Sequence, residues 1–155
     1  MTRLTRPLLC LALGALAVGC AAPAHDRPAT ALASGTASAC DDAGFLALVA
    51  RHPTGYTEVT VCGTVARVLP ARRTRSGEHG YFYVTVAPGA QIEIVTNLDE
   101  MTPFAVQPGD RAEVHGRYYD DPDGTTGIDW THHSEPTASW PQAGYVLING
   151  GPSAS

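Results

Sequence analysis

Lysine is absent from this chain: all ten cationic residues are arginine, and they face 15 acids, for a formal charge of −5. That balance excludes a polycationic surface built to coat nucleic acid. Aromatic residues are scarce at 7%, and charged residues amount to only 16%. No apolar run approaches the roughly 20 residues that a membrane-spanning helix needs. The 16 Gly and 12 Pro break the chain too often for a helical bundle or a coiled coil. A nucleophile elbow of the GxSxG type, an HExxH helix, a phosphate-binding P-loop and a dinucleotide fingerprint are all missing. What remains is a 155-residue chain, 44% hydrophobic, long enough for one domain with a modest core.

The start of the chain reads as an address. Arg3 and Arg6 are followed by an apolar stretch from Leu8 to Val18, the pattern of an export signal. The stretch closes on Ala17-Val18-Gly19-Cys20, which resembles the bacterial lipobox, with Ala17 where Leu is usual. The resemblance implies a signal peptide over residues 1–19 and lipidation of Cys20, with the membrane as a partner through acyl chains. Ala21 after the cysteine implies sorting to the outer membrane, facing the periplasm. An ordinary secretory signal cut after a small residue is the alternative. Removal of the leader leaves eight arginines against 15 acids, a net of −7. It also leaves Cys40 and Cys62 as the only thiols, for which a disulfide is expected in an oxidising compartment, with two buried free thiols as the other reading.

Residues 20–39 are mostly Ala, Pro, Ser and Thr and cannot bury enough surface to fold, so a disordered tether is expected there. The folded domain is expected over 40–150, with a disordered tail at 151–155. Asp41 and Asp42 precede Phe45, Leu48, Val49 and His52 at helical spacing, and Pro53 and Gly55 stop the pattern, which predicts one short helix. The period then becomes two. Strands are predicted over 59–69, 79–86, 91–97, 111–119 and 128–133, with a short last strand over 144–148. An arginine-rich loop is expected at 70–78 and an acidic hairpin loop at 120–124. The connection 98–107 is expected to hold at most one helical turn, broken by Pro103. Phe82 and Val84 point one way on the second strand, and His79, Tyr81 and Tyr83 point the other. Ala112, Val114, Gly116 and Tyr118 point inward on the fourth. Five strands in this order predict an all-β domain, a five-stranded OB-fold-like barrel with one short N-terminal helix. Gly63 and Gly116 are placed where bent barrel strands leave no room for a side chain. An open antiparallel sandwich is the alternative.

The run from Gly63 to about Gly150 also resembles a family of small exported bacterial proteins with an OB-like domain. The matching residues are Gly63-x-Val65, His79-x-x-Phe82, Asn97-x-Asp99, Gly109-Asp110, Gly116-x-Tyr118 and the tetrapeptide Trp130-Thr131-His132-His133. This chain departs at Gly80 and Tyr81, at Thr96 where the family has His, and in its acidic loop before the fifth strand. The resemblance implies an address and a fold and brings no reaction with it.

Two sets of residues offer chemistry. His79, Asp99, His132 and His133 form a candidate ligand set for a divalent transition metal such as zinc, or for proton transfer. Adjacent strand histidines point apart, so His133 is expected beside Asp129 on the solvent side and His132 at the end of the inward face. Structural use at a barrel rim is the plain alternative. His79, Tyr81, Tyr83, Asn97, Asp99 and Trp130, with Arg72, Arg73 and Arg75 on the rim, form a candidate ligand-binding face. The reading that follows is a lipid-anchored periplasmic OB-fold binding module. Its candidate partners are a small molecule, an oligosaccharide, a nucleotide or an envelope protein. The competing reading is a metal-dependent hydrolase of phosphodiesterase type using the same histidines.

Overall fold

Asp41 opens the domain by capping: its carboxylate accepts the Gly44 backbone N–H at 2.9 Å and starts α1 (Asp42–Val49). Phe45 carries the helix onto the barrel, buried and edge-on to Tyr118 with ring centroids 5.6 Å apart. The chain leaves the helix through His52, whose φ of 46° is left-handed, just before Pro53. The computed structural model describes residues 40–87, 89–152, 154 and 155. The expected signal peptide, lipidation site and tether lie outside the described residues.

Six strands follow: β1 (Thr57–Thr74), β2 (Gly77–Ala87), β3 (Ala90–Asn97), β4 (Arg111–Asp120), β5 (Thr126–Asp129) and β6 (Tyr145–Ile148). β1 is long and shared between two neighbours. Its first half, Thr57 to Thr64, pairs with β4, and its second half, from Thr64 onward, pairs with β2. β2 pairs with β3, β3 runs parallel to β5, and β5 returns antiparallel to β4, so β1, β2, β3, β5 and β4 close into a ring. This is the OB-like barrel expected from the alternation. The inward rows supply the core: Val61 and Val65, Phe82 and Val84, Ile92 and Ile94, Val114 and Tyr118, and Ile128 are each at most 3% exposed. The predicted inward row of β4 is buried at all four positions.

Closure depends on close backbone approach. A Cβ on Gly116 would lie 2.5 Å from the Asp129 carbonyl oxygen, and one on Gly63 would strike the Thr85 backbone. Cys40 and Cys62 are joined in a disulfide that ties the start of α1 to β1. Closing a loop of 22 residues contributes about 3 kcal/mol through the unfolded chain.

Two local expectations are corrected. The arginine-rich loop expected at 70–78 is mostly strand: β1 continues to Thr74, β2 begins at Gly77, and only Arg75 and Ser76 make the turn. Pro70 is accommodated because the β1–β2 register shifts between Leu69 and Arg72, so no ladder hydrogen bond is asked of it. The connection 98–107 is non-strand, as expected, and holds no helical turn. The fifth strand ends at Asp129 rather than His133, because Trp130 takes a φ of 50° and turns the chain off the barrel. The strand line then resumes as β6. Asp129 stands opposite Arg117 and Tyr145 opposite His115, so residues 130–144 leave and rejoin the same edge of β4 on either side of Gly116.

Candidate functional site

The outward face of the barrel carries the polar side chains that alternation directs there, and it is walled at two ends. One wall is the tip of the β1–β2 hairpin. The other is the acidic β4–β5 loop. Between them lies a cleft of about 470 Å³. Its hairpin side is lined by Thr74, Ser76, His79 and Tyr81, and its acidic side by Asp121, Asp123 and Thr125. Tyr56, Val95, Arg117, Tyr119 and Asp129 line the remainder.

Arg117 is the organising residue. Its Nε and Nη2 donate to the two carboxylate oxygens of Asp129 at 2.8 and 2.7 Å, the bidentate geometry available only to guanidinium. Its flat face lies 3.9 Å from the centroid of the Tyr56 ring, with Trp130 and Trp140 at 5.4 and 5.8 Å. Burial works against the charge, but the Asp129 carboxylate outweighs it and raises the guanidinium pKa further. Tyr56 itself is 57% exposed and presents the edge of the cleft.

Tyr119 reaches sideways rather than outward. A Cβ on Gly127 would collide with its phenol, so only glycine on β5 lets the ring lie across that strand toward Glu93 of β3. Glu93 accepts from Tyr83 Oη at 2.9 Å and from Tyr119 Oη at 3.5 Å. Burial pushes the Tyr119 phenol far above the usual tyrosine range, with Glu93 and Asp129 adding to it. For Tyr83 the hydrogen bond to Glu93 is the main cause of a rise in the same direction. Both phenols are therefore neutral donors at any ordinary pH. Arginine also stacks on the neighbouring rings, Arg67 at 3.8 Å from Tyr83 and Arg72 at 5.2 Å from Tyr81.

The residues singled out from the sequence separate into two groups. His79, Asn97, Asp99 and Arg73 converge at the hairpin tip. His79 stands opposite Asn97 across the β2–β3 ladder, and its Nδ1 lies 3.2 Å from Thr74 Oγ1 and 3.1 Å from the Gly77 carbonyl oxygen. Asn97 Oδ1 accepts the Asp99 N–H at 3.2 Å, and Asp99 Oδ2 accepts the Glu78 N–H at 3.0 Å. Arg73 pairs with Glu78 at 3.2 Å and Asp99 at 3.5 Å. These contacts fasten the hairpin tip to the end of β3 and so set the position of one cleft wall. Arg75 occupies the exposed turn and makes no ion pair among the described residues.

The second group is the Trp130-Thr131-His132-His133 run. Thr131 is fully buried and donates to the Val95 carbonyl oxygen at 3.1 Å. His132 is buried and stacks on Trp130 at 5.4 Å, with Nδ1 at 2.7 Å from the His133 carbonyl oxygen and 3.1 Å from Glu100 Oε2. His133 is exposed and lies 3.5 Å from Glu135, not beside Asp129, whose carboxylate belongs to Arg117. The expected pairing of His133 with Asp129 is corrected for that reason: the strand ends before the alternation can reach His133.

Among the described residues, the only three His, Cys, Asp or Glu side chains with ligand atoms within 4.8 Å of one another are Cys40, Cys62 and Glu113. Both sulfurs of that trio are committed to the disulfide, so it offers no thiolate to a metal. His79, Asp99, His132 and His133 are not gathered into one such group. Sequence reasoning did not single out Tyr56, Arg117 and Tyr119. Arg117 and Tyr119 alternate with the inward Gly116 and Tyr118, so the period was present, but the fork to Asp129 depends on the β4–β5 register. Comparison of the chain with protein-family models and with curated proteins gives no match.

Proposed function

We propose that this protein is a lipid-anchored periplasmic OB-fold module that binds a ligand in the cleft between the β1–β2 hairpin and the β4–β5 loop, without turnover. The observation that carries this reading is the cleft itself. Three tyrosines, an ion-paired arginine and several hydroxyls line one concavity at the place where OB barrels bind. The side chains at that place are held by one another, as a preformed binding surface requires. The hydrolase reading draws no support from the histidines, which fall into two separate groups.

The anchor belongs to the same proposal and rests on the lipobox resemblance at Cys20. With a lipidated Cys20 the protein partitions into the membrane fraction, and Cys20→Ala moves it to the soluble fraction of the same cells. The cleft is tested by backbone amide NMR on the full chain in detergent, titrated with oligosaccharides, nucleotides and organic amines. Shifts concentrated at Tyr81, Tyr119 and Thr125 are expected for at least one class, with the compound recovered unchanged. Shifts only at other surfaces, or conversion of the compound, would overturn the reading.

A further inference from the structure

We infer that an apolar groove beside the second half of β1 is a docking site for an extended segment of a partner protein, one with alternating large apolar residues and an acidic end. The groove shares only Tyr81 with the cleft, and the inference stands apart from the binding reading.

The inward rows of the barrel run on into this groove. Val68 stands opposite the buried Phe82, and Gly80 opposite the buried Thr96, so both continue the dry face of their strands. Leu98 follows Thr96 and lies over Gly80, where a Cβ would sit 3.3 Å from its Cδ2. Phe104 and Val106 line the same groove of about 370 Å³, and none of its lining residues is charged. Val68 and Leu98 are 39% and 40% exposed, and with Tyr56 they are the only large hydrophobic residues so exposed among the described ones. An apolar row left open to water marks a place where another molecule completes the packing.

The backbone gives that molecule its shape. Val65 exchanges hydrogen bonds with Gly109 and Asp110 at 2.8 Å. Beyond it, from Arg67 to Thr74, no strand but β2 pairs with β1, and the other edge is unpaired among the described residues. On the other side of the groove, Phe104, Ala105 and Val106 make no backbone hydrogen bond with any described residue. Free peptide groups flanking an apolar floor suit a third peptide in extended form. Its main chain bonds the sides while alternate side chains enter the groove. Pro70 withholds one N–H from β1, which shortens the pairing there without closing it.

Charge selects the partner. Arg67, Arg72, Arg73 and Arg75 are exposed along this stretch and its turn, and Arg72 and Arg75 form no ion pair with any described residue. A second copy paired along the same edge, in either direction, would set these arginines against their own kind, which disfavours pairing. A foreign segment with acids beyond its apolar part meets them with the opposite sign.

The test uses the full chain in lipid nanodiscs, so that no detergent fills the groove, with a random-peptide phage library as the probe. The Leu98→Asp protein in the same discs serves to remove lipid binders. Enrichment of sequences that alternate large apolar residues and end in acids is expected. One enriched peptide, synthesised, should shift the amide signals of Val68, Leu98 and Phe104 and leave Tyr119 and Thr125 in place. It should also slow hydrogen exchange at Ala105 and Val106. Leu98→Asp is expected to weaken that peptide at least about tenfold. Arg72→Glu with Arg75→Glu should weaken it by a smaller factor that vanishes at high salt. All three positions are exposed, and unchanged amide signals of the core strands confirm the fold of each variant. No enrichment over the Leu98→Asp protein would overturn the inference. So would peptides that shift groove residues without slowing exchange at Ala105 and Val106, or whose affinity ignores the arginine pair. Concentration-dependent dimers that Leu98→Asp dissolves would overturn it in favour of a second copy.

Discussion

On β4, Glu113 and His115 lie beside β6, Arg117 and Tyr119 lie beside β5, and Gly116 separates the two pairs. Both halves set aromatic rings against carboxylates. In the first, His115 stacks on Tyr145 at 5.3 Å, bonds Thr60 Oγ1 at 2.7 Å and Glu58 Oε1 at 2.9 Å, and Tyr145 donates to Glu113 at 2.8 Å. In the second, Arg117 is forked to Asp129 and Tyr119 leans on Glu93. The chemistry is alike and the surroundings are not. The second half lies between two projecting loops that make a polar cleft around it, whereas α1 packs beside the first and the nearby hollow is lined partly by Phe45, Leu48 and Val59. Hydrogen-bonded rings and carboxylates are therefore no sign of a site by themselves. The loops that overhang them make the difference.

Gly116→Val attacks both halves at once, since its branched side chain would be driven into the Asp129 carbonyl and the β4–β5 seam. The expected loss is above about 3 kcal/mol, read as a collapse of the thermal transition. Reduction of Cys40–Cys62 should act only on the first half, costing about 3 kcal/mol in a denaturant titration while the amide shifts of Tyr119 and Thr125 stay in place.

Arg117→Ala strands Asp129 and removes the stack under Tyr56, for a loss of about 2 kcal/mol. His115→Ala removes the hydrogen bonds to Thr60 and to the exposed end of Glu58 and should cost about 1 kcal/mol. If the two halves differ as argued, only Arg117→Ala also abolishes ligand shifts in the cleft. Equal effects on binding would dissolve the distinction.

Alkaline titration reaches both halves more gently. Burial, then the hydrogen bond to Glu113, pushes the Tyr145 phenol to about 12, and Tyr119 is displaced in the same direction. The folded protein keeps protons that the unfolded chain releases near pH ~10. Their stabilisation is complete below that pH and declines as pH rises toward the folded values. Tyrosinate absorbance and unfolding midpoints measured together should show that decline. Arg73→Ala is the smallest change, within about 0.5 kcal/mol, because its pairs are exposed. Its visible effect should be broadened amide signals at the hairpin tip.

The inward rows of β2 and β4 were legible because each strand has one wet face and one dry one, which writes a period of two into the residues. The end of β1 was not. Once the hairpin projects past the barrel, Arg72, Arg73 and Thr74 have no dry face, and a paired strand then reads like a loop. The departure at Trp130 was hidden for a different reason. Ile128, Trp130 and His132 continue the alternation on paper, and only a left-handed backbone at Trp130 ends it. His79 and Tyr81 could be placed on the binding face from their own strand. Arg117 could not, because its role depends on which residue of β5 lies opposite.

The excursion from Trp130 to Gly144 also makes the barrel a natural socket. Its two ends are pinned as neighbours on the same edge of β4, so chain added between them neither shifts a strand register nor threads the sheet. The entropic cost of a longer loop grows only with the logarithm of its length. Segments of quite different size and sequence are thus interchangeable at this point beside the cleft, and a peptide or small domain grafted between Glu135 and Trp140 should leave the five-stranded ring as it is.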